Sequence, residues 1–370
     1  MKHLIDSSDL SLAEESAVIE LALDIISNRD AYREKCRGRK LATLFYEPST
    51  RTRLSFTAAM MELGGNVLGF ADAASSSVSK GETVTDTVRV VSCFADIIAM
   101  RHFKEGAPLA ASHYATVPVI NAGDGSHAHP TQTLTDLLTI RREKGRIDNL
   151  TIGFCGDLRY GRTVHSLLRA LSRHSGIEVV LISPEELRLP EYILHNVCER
   201  HNMPVSEVRT MEEVMPRLDV LYMTRVQKER FLDEEEFDMV KDSFILTPEK
   251  IAPAKAEMRI LHPLPRVNEI TVEVDADPRA AYFRQVENGK FVRMALMLKL
   301  LEWAKTDRPT RAGESACARE QLIPADAVEG VYKCRNHRCI SNMENVPSLF
   351  RPRADKPGSY RCIYCESKPV

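Results

Sequence analysis

Nowhere in its 370 residues does the chain hold an apolar run long enough to cross a bilayer, and residues 1–9 lack the charged-then-apolar layout of a secretory signal. Neither a membrane partner nor export is expected, and the expected compartment is the cytoplasm. Charge of either sign is not in excess: 50 Lys and Arg face 52 Asp and Glu, a net charge of −2. The global electrostatic case for nucleic acid is thereby removed, so a charged partner has to be met by a local patch, and a small substrate is expected. Internal repeats and low-complexity tracts are absent. A disulfide framework is missing too. The nine cysteines are an odd set, five scattered (Cys36, Cys93, Cys155, Cys198, Cys317) and four near the C-terminus, which fits reduced thiols and one metal site.

What the chain has is alternation. Short apolar stretches at 41–45, 66–70, 97–100 and 117–120 are separated by segments of helical period, and the pattern resumes at 150–154, 178–182, 219–223 and 258–261. This predicts an α/β chain of two doubly wound parallel-sheet domains in tandem. A helix over 130–144 leads from the first domain to the second. A late amphipathic helix over 289–303, with Phe291, Met294, Leu298 and Leu301 near one face, packs back on the first. Expected boundaries are 1–132 with 286–305 for the first domain, 133–285 for the second, 306–330 for a linker and 331–370 for a small four-cysteine tail.

The most informative stretch is Ser49, Thr50, Arg51, Thr52 and Arg53, set between the strand at 41–45 and a helix that puts Leu54, Ala58 and Met61 on one face and stops at Gly64 and Gly65. A turn at a helix N-terminus offers unpaired amides, the positive dipole end and here two arginines, which together suit a dianion. This stretch resembles the phosphate-gripping turn of the aspartate and ornithine carbamoyltransferases. His129, Pro130, Thr131 and Gln132 are similar to that family's carbonyl-binding motif. The resemblance implies that His129 donates to the carbamoyl oxygen and that Gln132 helps hold the carbamoyl amide. Arg101 and Thr52 match the other donors, and three converging donors make an oxyanion site. Ser77 and Lys80, in the loop 75–82, match a mobile loop that serves the neighbouring subunit, which implies a homotrimer with shared active sites. Taken singly, each has a plain structural reading: a capped turn, a core histidine, an exposed polar loop.

The acceptor side resembles the aspartate-type members. Arg162 corresponds to the arginine on the α-carboxylate of aspartate, and Arg225 and Gln227 to the pair on its side-chain carboxylate, with Lys80 reaching both substrates. Guanidinium groups grip carboxylates bidentately and keep their charge. His262, Pro263, Leu264, Pro265 and Arg266 have the aspartate-type form of a loop whose backbone carbonyls at Leu264 and Pro265 contact substrate, with a cis bond before Pro265. Glu47 resembles the residue that bridges to Arg162 and Arg230 when the two domains close. The implied reaction moves the carbamoyl group of carbamoyl phosphate to L-aspartate, giving N-carbamoyl-L-aspartate and phosphate on the way to UMP. Thr52, Lys80, Arg101 and His129 are its expected catalytic groups, and no organic cofactor or catalytic metal is called for. The alternatives are a carbamoyltransferase for another amine or amino acid, and a non-catalytic zinc-ribbon scaffold.

Cys334 and Cys339, with four residues between them, and Cys362 and Cys365, with two, form two short knuckles that suit one structural four-thiolate zinc ion. A tail this small has little other means of folding. Residues 331–370 carry eight Lys and Arg against three Asp and Glu, so a nucleic-acid-binding ribbon is the alternative reading; no nucleic-acid partner is expected. The tail also resembles the zinc domain of the aspartate carbamoyltransferase regulatory chain, through Cys339, Ile340 and Ser341 and through residues 362–366. The linker is too short for that chain's nucleotide domain. An assembly role without ATP or CTP control is therefore expected.

Overall fold

Every residue of Lys40–Phe45 (β1) after Lys40 is buried, the mark of a strand covered on both faces. The structure is a computed structural model and describes residues 2–226, 244–306, 326–353 and 356–370. Its contacts divide the chain into two units: Met1–Thr131 with Arg293–Val370, and Gln132–Val292.

The first unit holds a parallel sheet in the order β2-β1-β3-β4, with β2 Asn66–Phe70, β3 Ile97–His102 and β4 Val119–Asp124. Helix α1, Leu12–Ser27, starts at a capping box in which Ser11 and Glu14 satisfy each other's amides. Helix α2, Thr50–Glu62, follows β1 directly, and α3 (Val84–Ser92) and α4 (Ala107–Ser112) lie before and after β3. On α2 the buried side chains are Thr52, Phe56, Ala59 and Met60, whereas Leu54 and Met61 stand 58% and 62% exposed. The helix thus turns its aromatic and small residues, and not the Leu54 to Met61 stripe, toward the core.

The second unit holds five parallel strands in the order β7-β6-β5-β8-β9: β5 Leu150–Cys155, β6 Ile177–Ile182, β7 Val205–Val208, β8 Val220–Met223 and β9 Arg259–Leu261. Edge strand β7 has no counterpart among the sequence expectations, because only its two end residues are apolar and all four are partly exposed or exposed. Helix α5 spans Pro130–Lys144 and α6 spans Arg162–Leu171. The late helix, α7, runs over Tyr282–Thr306, starting well before residue 289. No helix among the described residues is long and apolar enough to cross a membrane.

The tail forms a third, antiparallel sheet from β10 Val328–Glu329, β11 Leu349–Pro352 and β12 Tyr360–Cys362, so it begins inside the stretch expected as linker. It packs within the first unit, where Leu349, Phe350 and Tyr364 share one core with Val84, Val88, Ala107 and Ala111. Glu105 N–H donates to Arg338 O and Ile340 N–H to Glu105 O, each at 3.0 Å. Asn336 Nδ2 donates to Glu105 Oε2 at 2.6 Å, and Glu344 accepts from Val84 N–H at 2.8 Å and from Lys104 Nζ at 2.7 Å.

Candidate active site and metal centre

In an open parallel sheet, ligands gather beyond the carboxyl ends of the strands where the strand order reverses. In the first unit that point lies between β1 and β3. The chain leaving β1 enters α2 at Ser49, an N-cap whose side chain caps nothing. The first intrahelical bond runs from Arg53 N–H to Ser49 O at 3.2 Å, so the amides before it have no partner inside the helix. Thr52 is buried there, while Thr50 and Arg51 are exposed. No acidic residue occupies the first turn to compete for an anion.

Arg101 is the last residue but one of β3, and His129 lies just before α5. Both side chains lean over Gly123. Its φ is +121°, and a Cβ there would stand 3.2 Å from Arg101 Nη1 and 3.5 Å from His129 Cδ2. An alanine would crowd the Arg101 guanidinium and only touch the His129 ring. His129 Nδ1 faces Thr131 Oγ1 at 3.5 Å; with the hydroxyl donating, the proton rests on Nε2, the form that can donate to a carbonyl oxygen. Glu47, expected from sequence as a partner of Arg162 and Arg230, ion-pairs with Arg101 at 3.0 Å. Ser77 and Lys80 form an exposed 3-10 turn, Ser77–Lys80, and among the described residues the Lys80 ammonium has no hydrogen bond or ion pair.

Two supporting residues in this unit have no sequence signal. Asp124, fully buried, accepts from Gly106 N–H at 2.8 Å and from Ala128 N–H and Asn121 Nδ2 at 3.0 Å, fixing the turn before His129. It also pairs with His127 at 3.0 Å. Burial by itself would lower the His127 pKa, but the Asp124 carboxylate outweighs it and pushes it up to about 10. Arg293, 4% exposed, reaches Ser55 of α2 at 3.0 Å and Thr131 at 3.4 Å, and lies over the Phe56 ring at 5.2 Å. Neither residue belongs to a local pattern, so only the folded chain discloses them.

In the second unit the strand order reverses between β5 and β8. Arg162 opens α6 after β5, and Arg225 follows β8; both are half-buried. Gln132 donates through Nε2 to Asp136 at 2.7 Å. The Leu264–Pro265 bond is cis, as the resemblance implied. His262 Nδ1 accepts from Leu264 N–H at 2.7 Å, which leaves Nε2 to donate to Glu269 at 2.7 Å. Burial first, only partly opposed by Glu269, holds the His262 pKa below the ordinary histidine value. Gln227 and Arg230 lie outside the described residues.

In the tail, Cys334, Cys339, Cys362 and Cys365 are buried, and their sulfurs all lie within 4.8 Å of one another. Cys334 and Cys365 are 3.4 Å apart and Cys339 and Cys362 3.7 Å. A tetrahedron of thiolates about 2.3 Å from a metal has edges of about 3.8 Å, so these four fit one ion with no open position.

The pattern described as "Aspartate/ornithine carbamoyltransferase, carbamoyl-P binding domain" matches residues 2–142, and its "Asp/Orn binding domain" counterpart matches residues 148–300. The chain belongs to the aspartate/ornithine carbamoyltransferase family. Residues 326–369 match the pattern described as "Aspartate carbamoyltransferase regulatory chain, metal binding domain". The chain is 64% identical over 301 residues to the aspartate carbamoyltransferase catalytic subunit of Lachnoclostridium phytofermentans, covering 81% of this chain and 98% of that protein. It is 60% identical over 300 residues to the catalytic subunit of Clostridium acetobutylicum, with the same coverage. Among solved family structures, the M. jannaschii catalytic subunit has a TM-score of 0.78 at 48% identity, covering 83% of this chain and all of that one. The Trypanosoma cruzi enzyme in complex with carbamoyl phosphate and aspartate has a TM-score of 0.76 at 40% identity, covering 80% of this chain and 96% of that one.

Proposed function

We propose that this chain transfers the carbamoyl group of carbamoyl phosphate to the amine of L-aspartate, giving N-carbamoyl-L-aspartate and phosphate in pyrimidine biosynthesis. The observation that carries this reading is the distribution of charge over the two sheets. An anion-binding helix end with Arg101 and His129 lies at the strand-order reversal of one sheet, and Arg162 and Arg225 lie at that of the other. The first set suits an acyl phosphate dianion and the second a dicarboxylate.

In this mechanism Ser49, Thr50, Arg51 and Thr52 hold the phosphate, and Arg101, His129 and Thr52 donate to the carbonyl oxygen. Gln132 and the carbonyls of Leu264 and Pro265 hold the carbamoyl amide. Arg162, Arg225 and Gln227 seat aspartate so that its amine faces the carbonyl carbon. The nitrogen attacks, the new C–N bond replaces the C–O bond to phosphate, and the departing phosphate takes the amine proton. Orientation of this kind supplies about 7–11 kcal/mol, so no side chain has to act as general base. The Glu47–Arg101 pair of 3.0 Å gives way when carbamoyl phosphate claims Arg101.

Lys80, without a hydrogen bond or ion pair among the described residues, and the exposed Leu54 and Met61 support a homotrimer in which Ser77 and Lys80 serve the neighbouring site. The metal in the tail is Zn²⁺, which four thiolates favour, and the tail extends the assembly without nucleotide control. The absence of any disulfide among the eight described cysteines suits a reducing cytoplasm.

Steady-state transfer to aspartate, ornithine and other amines tests the reading, with Arg225→Ala alongside. Turnover with aspartate alone, and a KM for aspartate raised about 10- to 100-fold in the variant, is the expected result. Turnover with another amine would reassign the acceptor. Millimolar CTP or ATP in the same assay leaves the aspartate curve in place; a shift would overturn the absence of nucleotide control.

A further inference from the structure

Asp136, in α5, is fully buried and draws donors from three segments of the second unit. Gln132 Nε2 and Gln285 Nε2 reach its Oδ1 at 2.7 and 2.6 Å, and the Tyr222 hydroxyl reaches Oδ2 at 2.9 Å. Each donor belongs to a segment given a substrate contact above. Gln132 holds the carbamoyl amide. Tyr222 stands in β8, just before Arg225. Gln285 accepts through Oε1 from His262 N–H at 2.9 Å, at the head of the loop that contains Leu264 and Pro265.

A carboxylate accepts hydrogen bonds and donates none. It therefore fixes which end of each neighbouring amide faces it. Gln285 turns its nitrogen to Asp136 and its oxygen to a backbone N–H, so its orientation is settled from both ends. Gln132 likewise gives its nitrogen to Asp136, and its carbonyl oxygen is left for another donor.

We infer that Asp136 is a positioning residue that sets the choice of acyl donor: by holding the Gln132 nitrogen, it presents Gln132 Oε1 as an acceptor that only an acyl phosphate bearing N–H can satisfy. Carbamoyl phosphate carries two such hydrogens. Acetyl phosphate puts a methyl group in the same place and leaves the acceptor unpaired, which costs affinity. The inference rests on the carbamoyl-transfer reading of the site.

The test uses the full-length protein. It compares kcat/KM for carbamoyl phosphate with the inhibition constants of acetyl phosphate and inorganic phosphate, in the wild type and in Asp136→Asn, Gln132→Ala and the double variant. The amide introduced by Asp136→Asn would offer its own NH₂ and release the Gln132 amide to turn. The expected result is about a tenfold fall in kcat/KM for carbamoyl phosphate, with both inhibition constants unchanged within about twofold and no further loss in the double variant. An equal weakening of all three ligands would make Asp136 a general support and overturn the inference, as would an unchanged preference in Asp136→Asn. Should that variant not fold, Asp136→Ser takes its place, and Gln132→Ala with full discrimination overturns the inference by itself. A wild type that transfers no carbamoyl group defeats the functional reading instead.

Discussion

The sheets of the two larger units and the sheet of the tail are built on different physics. In β1, β3, β5, β6 and β8 nearly every residue is buried, so apolar burial on both faces carries those sheets. The tail's strands run only Val328–Glu329, Leu349–Pro352 and Tyr360–Cys362. Its interior is four cysteine sulfurs and a few side chains that complete themselves on α3 and α4. The larger units carry their own cores. The tail depends on a metal and on a borrowed surface, and those two supports can be removed separately.

Taking away the metal should have the largest effect. On the proposed Zn²⁺ reading, with an apparent ~10–16 kcal/mol contributed by the metal in small zinc modules, a chelator or Cys362→Ser should unfold the tail. Limited proteolysis would read this as cleavage confined to the tail; a tail that resists protease without metal would break the comparison.

Gly106→Ala attacks the borrowed surface without touching a cysteine ligand. Gly106 has φ +79°, and a Cβ there would fall 2.4 Å from the Tyr364 Cβ and 2.7 Å from its carbonyl oxygen. Overpacking of this kind costs about 1–3 kcal/mol. The melting temperature should drop while metal content stays at one ion per chain, and an unchanged melt would show that the docking can shift at no cost.

An effect no larger is expected in the pH response of His127, which faces Asp124 directly and also feels Asp6 and the tail's Glu366. Its folded pKa of about 10 lies above the ordinary value of about 6.5. The pair's contribution is thus complete below about pH 6.5 and is lost as the pH rises through about 10. Denaturant titrations at pH 7 and pH 10, with His127→Gln as the control, should show a pH-dependent loss of roughly 1–3 kcal/mol in the wild type that the variant lacks. Equal slopes in the two proteins would remove His127 from the account.

Sequence patterns disclose features made of neighbouring residues. The long strands announce themselves as apolar runs, and Ser49 to Arg53, His129 to Gln132 and the cysteine knuckles each carry several side chains in one short stretch. Strand β7 escapes because its partly exposed edge has no apolar run, and α7 starts earlier than expected because Gly289 resembles a boundary yet lies inside the helix. The α2 stripe misleads for a related reason: Leu54 and Met61 have helical spacing, but the sheet takes Phe56 and Met60 instead. Asp136, Asp124 and Arg293 are invisible in principle. Each acquires its role from partners brought in by folding, such as Gln285 and Tyr222 for Asp136, and a lone acid or arginine in a helix or turn has no local signature.

The stitch from Glu105 to Arg338 and Ile340 joins parts of one polypeptide, and this sets the stoichiometry. A docking module made as a separate chain occupies its site in proportion to its concentration and leaves on dilution. Within one chain the same contacts close intramolecularly, at an effective concentration fixed by chain length and not by synthesis of a partner. Every catalytic chain therefore carries its own tail in a ratio of one to one, however much or little protein the cell makes.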